Sequence, residues 1–179
     1  ERGRSVRARF WRKFKIYAIA AVVIAAISYG VYFLVRGAAP QNEDLSKAIP
    51  VMENRNHIPV GAEKSIEYNS NPPTSGPHYE ITAKSGFREE PIPDGNIIHN
   101  LEHGDIWISY HPRVSDAVKE ELKQFASAKV IVATRQANDT DIALAAWGRL
   151  DAFNIENNEL PVERIKDFIK RYTNKGPEF

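Results

Sequence analysis

The chain of 179 residues contains no cysteine, and this absence removes two kinds of chemistry. No disulfide can stabilise an extracytoplasmic fold, so a hydrophobic core has to hold it together unaided. About 130 residues are sufficient for such a core. Thiolates are also excluded as metal ligands and as catalytic nucleophiles, so any metal site has to be built from other side chains.

Positive charge is scarce in the main part of the chain. Residues 1–36 carry eight of the 24 Lys and Arg residues and one of the 23 Asp and Glu residues, which leaves residues 37–179 a formal net charge of −6. Such a body repels phosphate groups, so we expect no nucleic acid among its partners. The basic N-terminus is better explained as the flank of a membrane-spanning segment.

A run of twenty uncharged residues, IYAIAAVVIAAISYGVYFLV, occupies positions 16–35. Its length matches the roughly 20 residues that a helix needs to cross a bilayer. Seven Lys and Arg residues precede it, and positive residues stay on the cytoplasmic side of a membrane. We therefore predict a basic cytoplasmic tail at 1–15, a single transmembrane helix at 16–35 and an extracytoplasmic body at the cell membrane.

A cleaved signal peptide is the alternative interpretation of this N-terminus. Its apolar core spans about 7–15 residues and is followed by small residues at the cleavage site. Gly37, Ala38 and Ala39 could form such a site. The length of the apolar run favours the uncleaved anchor.

The rest of the chain predicts a linker and one α+β domain. Residues 36–56 are polar, contain two prolines and are typical of a linker, whereas 57–179 are expected to form the extracytoplasmic domain. Hydrophobic periodicity predicts a β-α-β-β-α core. Its expected elements are strands at 106–110, 129–134 and 142–150, a helix at 116–128 and a last helix that begins at Pro161. We expect a small sandwich with a parallel first crossover and an antiparallel hairpin between the last two strands.

A long loop rich in Pro, Gly, Asn, Ser and His precedes this core, from His57 to Gly95. Its composition predicts one short strand at 65–68 and a turn at 94–96. Residues 44–49 of the linker are expected to form one helical turn. Loops of this length in a compact domain are either functional or disordered, and the aromatic and histidine content favours an ordered, packed one.

The motif HNLEHG contains His99 and His103, four residues apart. On a helix the two rings lie on one face about 6 Å apart, close enough to share a metal ion, whereas on a strand they would be about 13 Å apart. Gly104 is typical of the left-handed residue that ends a helix. We therefore predict a single helical turn at 99–103 that directs both rings the same way, with Glu102 near His99.

The motif NPPTSGPHY contains three prolines that stiffen the backbone around His78. This segment is predicted to be a rigid arm that presents His78 to the HNLEH turn. His57, His78, His99 and His103 are therefore the candidate ligands of one metal ion, and His111 is the least suited histidine. Imidazole clusters suit zinc and copper, so one copper or zinc ion is the expected cofactor.

Two other interpretations of the histidines stay open. They could simply hydrogen-bond to backbone carbonyls and order the loop. The sequence pattern H-x-x-E-H also matches a metallopeptidase motif in which Glu102 would be the general base. That motif requires a longer helix and a third ligand downstream. Gly104 argues against the longer helix.

Four strings in this order resemble the bacterial family called domain of unknown function 3105. They are NPPTSGPHY at 71–79, HNLEHGDIWISYHP at 99–112, AAWGRLDAF at 145–153 and FIKRYTNKGPE at 168–178. The resemblance covers roughly residues 55–179 and implies a membrane-anchored protein. It implies no reaction, but it marks His78, His99, Glu102 and His103 as motif positions.

The sequence as a whole predicts a membrane-anchored extracytoplasmic domain that binds copper or zinc through a histidine cluster. It would act as a carrier, a sensor or an accessory subunit and is not expected to be an enzyme. The first alternative is a protein-interaction module, or a metal-free accessory subunit of a membrane-protein complex. The second is a metal-dependent hydrolase with Glu102 as its base.

Overall fold

The computed structural model describes residues 2–40 and 42–178, with side chains from residue 11 onward except at 38. These residues divide into two compact units, the first ending at Ala39 and the second beginning at Pro40. The first unit is one helix, α1, which spans Arg2–Ala38. Within α1, Trp11–Gly37 is long and apolar enough to cross a membrane, with a mean hydropathy of 2.3. The predicted segment at 16–35 lies inside this stretch.

The second unit is a mixed α+β domain, as the sequence predicted. Its described residues form a six-stranded sheet in the order β1-β6-β5-β3-β4-β2. The strands are β1 (Lys47–Ala48), β2 (Gly86–Arg88), β3 (Ile106–Tyr110), β4 (Val130–Thr134), β5 (Ile142–Ala146) and β6 (Arg149–Phe153). The helices are α2 (Asp94–Glu102), α3 (Asp116–Leu122) and α4 (Val162–Tyr172).

The connection from β3 through α3 to β4 is parallel, as predicted. Ser115 caps α3 by accepting a hydrogen bond from Val118 N at 3.4 Å. The expected helix at 116–128 is shorter, because α3 ends at Leu122 and a 3-10 turn, Lys123–Phe125, follows.

The predicted hairpin between β4 and β5 is wrong. β3 lies between these two strands, and β5 pairs with it antiparallel. The other edge of β4 is taken by β2, a parallel strand from the loop where no strand was expected at 86–88. The hairpin forms one strand later, between β5 and β6.

The single strand expected at 142–150 is two strands joined by Trp147 and Gly148. Gly148 has φ of +65°, a left-handed conformation that glycine adopts without strain. Because the residues on both sides of this turn belong to one apolar run, hydrophobic periodicity did not reveal the turn.

Three local predictions before the core are also wrong. Residues 62–65 form a 3-10 helix where a strand at 65–68 was expected, and residues 47–48 pair with β6 where a helical turn at 44–49 was expected. The predicted turn at 94–96 is the first turn of α2. At 47–48 a partner far along the chain, and at 94–96 a longer helix, override a weak local preference.

Helices cover both faces of the sheet, and the helix that carries the histidine motif packs on one of them. Alternate residues of β3 pack against different helices: Ile106 and Ile108 share one cluster with α3 and α4, and Trp107 shares another with α2. All five residues of β3 are buried. Helix α2 therefore lies on the opposite face of the sheet from α3 and α4.

Leu144 on β5 is fully buried, and we predict that Leu144→Ala lowers the free energy of unfolding by about 3 kcal/mol, because the deleted atoms leave a cavity. The matched control is Leu45→Ala, since Leu45 is 52% exposed and its loss should cost less than about 0.5 kcal/mol. Urea unfolding of the full chain in detergent, followed by tryptophan fluorescence, measures both. Equal losses in the two variants would contradict the core described here.

Candidate metal centre

The proline-rich loop holds His78 in a fully buried position. Residues 72–79 are all buried. Gly76 has φ of +123°, and a Cβ there would lie 2.7 Å from Met52 Sδ, so only glycine fits. Tyr68 donates a hydrogen bond from its hydroxyl to Pro77 O at 2.7 Å. These contacts fix the direction of the His78 ring.

His57 is brought beside His78 by backbone pairing. His78 N donates to Asn56 O at 3.2 Å, and Ile58 N donates to His78 O at 2.8 Å. The two histidines form an isolated parallel bridge, and their ring centroids lie 5.1 Å apart. The start of the domain is therefore paired with the proline-rich arm through the residues on either side of His57.

Helix α2 positions His99 and His103, but it is longer than the single turn predicted at 99–103. It begins at Asp94, whose carboxylate accepts hydrogen bonds from Arg135 Nε at 2.9 Å and Nη2 at 2.7 Å. The same guanidinium donates to Asn71 Oδ1 at 2.5 Å, so it links the start of α2 to the proline-rich loop. Gly104, with φ of +76°, follows the helix end as expected.

Three imidazole rings converge between the arm and α2. One ligand atom from each of His57, His78 and His99 lies within 4.8 Å of those of the other two, a spacing that could hold a metal ion. The ring centroids of His78 and His99 are 4.9 Å apart, and those of His57 and His99 are 5.1 Å apart. His57 is exposed, whereas His78 and His99 are buried.

Backbone carbonyls determine which nitrogen each buried ring presents. His78 Nδ1 lies 2.8 Å from Gly76 O, and His99 Nδ1 lies 2.8 Å from Tyr79 O. A carbonyl oxygen only accepts, so Nδ1 carries the proton in both rings. In the neutral ring Nε2 then has a free lone pair. In metal sites, a hydrogen bond from the other ring nitrogen to a carbonyl orients histidine ligands in the same way.

His78 Nε2 is buried and has no hydrogen-bond partner among the described residues. A carboxylate oxygen of Glu102 lies 3.1 Å away without forming a hydrogen bond to it. The other oxygen of Glu102 lies 3.5 Å from Arg55 Nη1. The sequence placed Glu102 near His99, and its charge does act on that ring, while its carboxylate contacts His78 and Arg55.

His103 lies beside His99. Their Nε2 atoms are 3.1 Å apart and their rings are stacked at 28°. His103 Nδ1 donates to Glu178 O at 3.3 Å, so this ring also presents Nε2. Its side chain is 40% exposed, which makes it far more accessible than His99.

The C-terminal tail docks on the end of α2 and completes the surroundings of His103. Asn174 N donates to Gly104 O at 2.8 Å, and Glu178 N donates to Glu102 O at 3.1 Å. A Cβ at Gly176 would lie 2.0 Å from Glu102 O, so the close approach of the two backbones requires glycine there.

A surface cavity of ≈ 410 Å³ borders the cluster. It is lined by Glu53, Arg55, Asn56, His57, Glu102 and Glu178. Three carboxylates against one guanidinium make this cavity attractive to cations. A metal ion could therefore reach the cluster from solvent.

Burial lowers the pKa of His99 below its ordinary value of 6.5, and His78 and His103 lower it further. A lowered pKa favours the uncharged ring, so His99 is a free base at neutral pH. Neutral imidazole is the form that binds a metal ion.

The structure brings His57, His78, His99 and His103 together and leaves His111 apart, where its Nδ1 accepts from Arg113 N at 3.1 Å. Sequence reasoning missed Arg55, Gly176 and Glu178. Their contacts join segments far apart in the chain, and the one local sign was Gly176 in the string NKGPE, which follows the last helix.

A mixed α+β domain that gathers four imidazole rings beside an acidic cavity defines the class: a candidate metal-binding domain. The chain belongs to the family described as Protein of unknown function (DUF3105), whose model matches residues 59–179. This confirms the resemblance seen in the sequence. His78, His99 and His103 lie inside the match, and His57 lies two residues before it. No curated protein and no solved structure matches the chain.

We predict that Gly176→Ala detaches the tail from α2, because the new methyl group would overlap the backbone of Glu102. The free energy of unfolding should fall by about 2 kcal/mol, a usual cost of overpacking. Hydrogen exchange at the Glu178 amide, which is bonded to Glu102 O, should accelerate. Lys175→Ala, at an exposed neighbour, is the matched control, and unchanged exchange in Gly176→Ala would contradict the docked tail.

Proposed function

We propose that this protein is a membrane-anchored domain that binds one copper or zinc ion. His57, His78 and His99 hold the ion, and His103 lies beside His99 outside this group of three. The observation that carries the proposal is His78 Nε2, a buried nitrogen with no hydrogen-bond partner among the described residues that faces two other imidazoles.

The energetics of that nitrogen favour a bound ion. A buried acceptor without a partner costs about 1–3 kcal/mol, and proteins rarely leave one unsatisfied. Because the Nδ1 proton is already bonded to Gly76 O, a ring flip would only exchange one unsatisfied atom for another. A cation that accepts the lone pair removes the cost.

The donor set fits zinc and copper. Imidazole nitrogens suit both ions, and the chain contains no thiolate that would compete with them. The Nε2 atoms of His99 and His103 lie 3.1 Å apart, so His103 is close enough to exchange an ion with His99. This ligand set supports a protein that holds or passes on an ion, as a carrier, a sensor or an accessory subunit.

The N-terminal helix supports a single-pass anchor with the N-terminus in the cytoplasm. Residues 1–15 carry seven positive charges, and the apolar run at 16–35 is long enough to span a bilayer. The compact unit that begins at Pro40 would then lie outside the cytoplasm. The chain there has access to extracytoplasmic copper and zinc.

Metal analysis of the untagged full chain in detergent tests the site. After equilibration with Zn²⁺ or Cu²⁺ and removal of loosely bound ions, we expect about one equivalent of metal per chain. The His78→Ala/His99→Ala double variant should lose it, because two of the three converging nitrogens are gone. His111→Ala is the matched control and should retain the ion, since His111 is bonded to Arg113 away from the cluster.

The unfolding transition supplies a second measurement that does not depend on any variant. A ligand present at 100 times its Kd stabilises the folded state by about 2.7 kcal/mol. We expect the free energy of unfolding of the wild-type chain to rise by an amount of this order when zinc is added. A metal-free protein whose unfolding midpoint ignores both ions would rule out the metal site and favour the metal-free interaction module.

The cysteine-free chain allows a clean test of topology. Single cysteines introduced as Ser5→Cys and Lys175→Cys can be labelled with a membrane-impermeant maleimide on intact cells that express the full chain. We expect labelling at 175 without permeabilisation and at 5 only after it, because positive residues stay on the cytoplasmic side. The opposite pattern would contradict the proposed orientation, and loss of residue 5 from the mature chain would indicate a cleaved signal peptide.

A further inference from the structure

We infer that His103 and Glu178 form a transfer position through which the metal ion passes on its way to His57, His78 and His99. The inference rests on the proposed metal site and assigns a role to the C-terminal tail. The ligand that this position takes is a hydrated divalent transition-metal ion.

The first argument is the pair of nitrogens shared between the two positions. His99 Nε2 belongs to the three-histidine group and lies 3.1 Å from His103 Nε2. Both rings use Nδ1 to donate to backbone carbonyls, so two lone pairs face each other across this distance. Two acceptors in this position repel each other unless a proton or a metal ion lies between them, so the pair can receive a cation.

The second argument is that His103 lies outside the group that shares one ion. The mutual spacing of 4.8 Å holds for His57, His78 and His99. His57, which is exposed, is already part of that group, whereas His103 is only partly exposed. His103 instead contacts only one of the three rings, which is the arrangement expected of a ligand that hands an ion to its neighbour.

The third argument is the change in exposure along the path. The Glu178 side chain is 56% exposed and its carboxylate lies 3.9 Å from His103 Nε2, whose side chain is 40% exposed. His99 is 8% exposed and His78 is fully buried. An ion that moves from Glu178 to His103 and on to His99 exchanges water for protein donors one at a time.

The fourth argument is charge. Glu178 lines the same cavity as Glu53 and Glu102, where Arg55 is the single basic side chain among the lining residues. Such a cavity raises the local concentration of cations and their rate of association. The tail reaches this place because Gly176 allows its backbone to touch the end of α2. The docked tail therefore contributes a carboxylate as well as the carbonyl that orients His103.

Zinc uptake by the full chain in detergent tests the inference, with stopped-flow competition against a fluorescent zinc indicator. We expect His103→Gln to slow association about tenfold and Glu178→Gln about threefold, within the range by which charge and access change association rates. The Kd should change by less than about threefold, because a transfer ligand speeds uptake and release together. His111→Gln and Glu90→Gln, at the exposed Glu90, are the matched controls and should leave both quantities unchanged.

Three other outcomes would overturn the inference, and the Kd and the association rate distinguish them. A Kd that rises tenfold or more in His103→Gln, at an unchanged association rate, would make His103 a permanent ligand. Unchanged rates and affinity in both variants would exclude any role in transfer. A wild-type chain that takes up no zinc would instead overturn the metal site itself, and the variants would then not differ from it.

Discussion

Hydrogen bonds from histidine Nδ1 atoms to backbone carbonyls are the constraint on which the site depends. Gly76, Tyr79 and Glu178 supply the three carbonyls, one for each of three imidazole rings. Each bond places the proton on the outer nitrogen and leaves the inner one as a donor of electrons. Without them the rings could rotate or exchange tautomers, and the same four histidines would be ordinary polar side chains. The carbonyls come from two segments, the proline-rich arm and the tail, and His99 comes from α2, so the site exists only when all three segments are in place.

The fold serves this requirement by tying the three segments to the sheet. α2 packs on the face of the sheet that α3 and α4 leave free, with Trp107 in its cluster. Arg135, which directly follows β4, binds both the start of α2 and the proline-rich loop. Gly104 and Gly176 let the tail return to the end of the same helix. His57 and Glu178 line the cavity, whereas His78 and His99 are buried, so the domain combines inaccessible rings with donors that solvent reaches.

The sequence predicted the parts of this protein that depend on local pattern. Spacing placed His99 and His103 on one helix face, and Gly104 ended that helix as expected. Alternation found β3 and β4, and their parallel crossover followed from the helix between them. Local pattern failed where pairing is remote: β2 was read as loop because three residues carry too little periodicity, and β3 was not expected between β4 and β5. The role of Glu178 was invisible because it depends on a contact 75 residues away.

Composition and spacing by themselves determined the long apolar N-terminal run, the charge asymmetry, the absence of thiolate chemistry and the pairing of two histidines four residues apart. These properties follow from residue types and from the period of a helix, both of which act over a few neighbours. Tertiary structure alone decided that Glu102 contacts His78, that His78, His99 and His103 present Nε2, and that the tail supplies a carbonyl and a carboxylate to the cluster. Those decisions rest on hydrogen bonds and close backbone contacts between segments far apart in the chain, which form only when the sheet has brought the segments together.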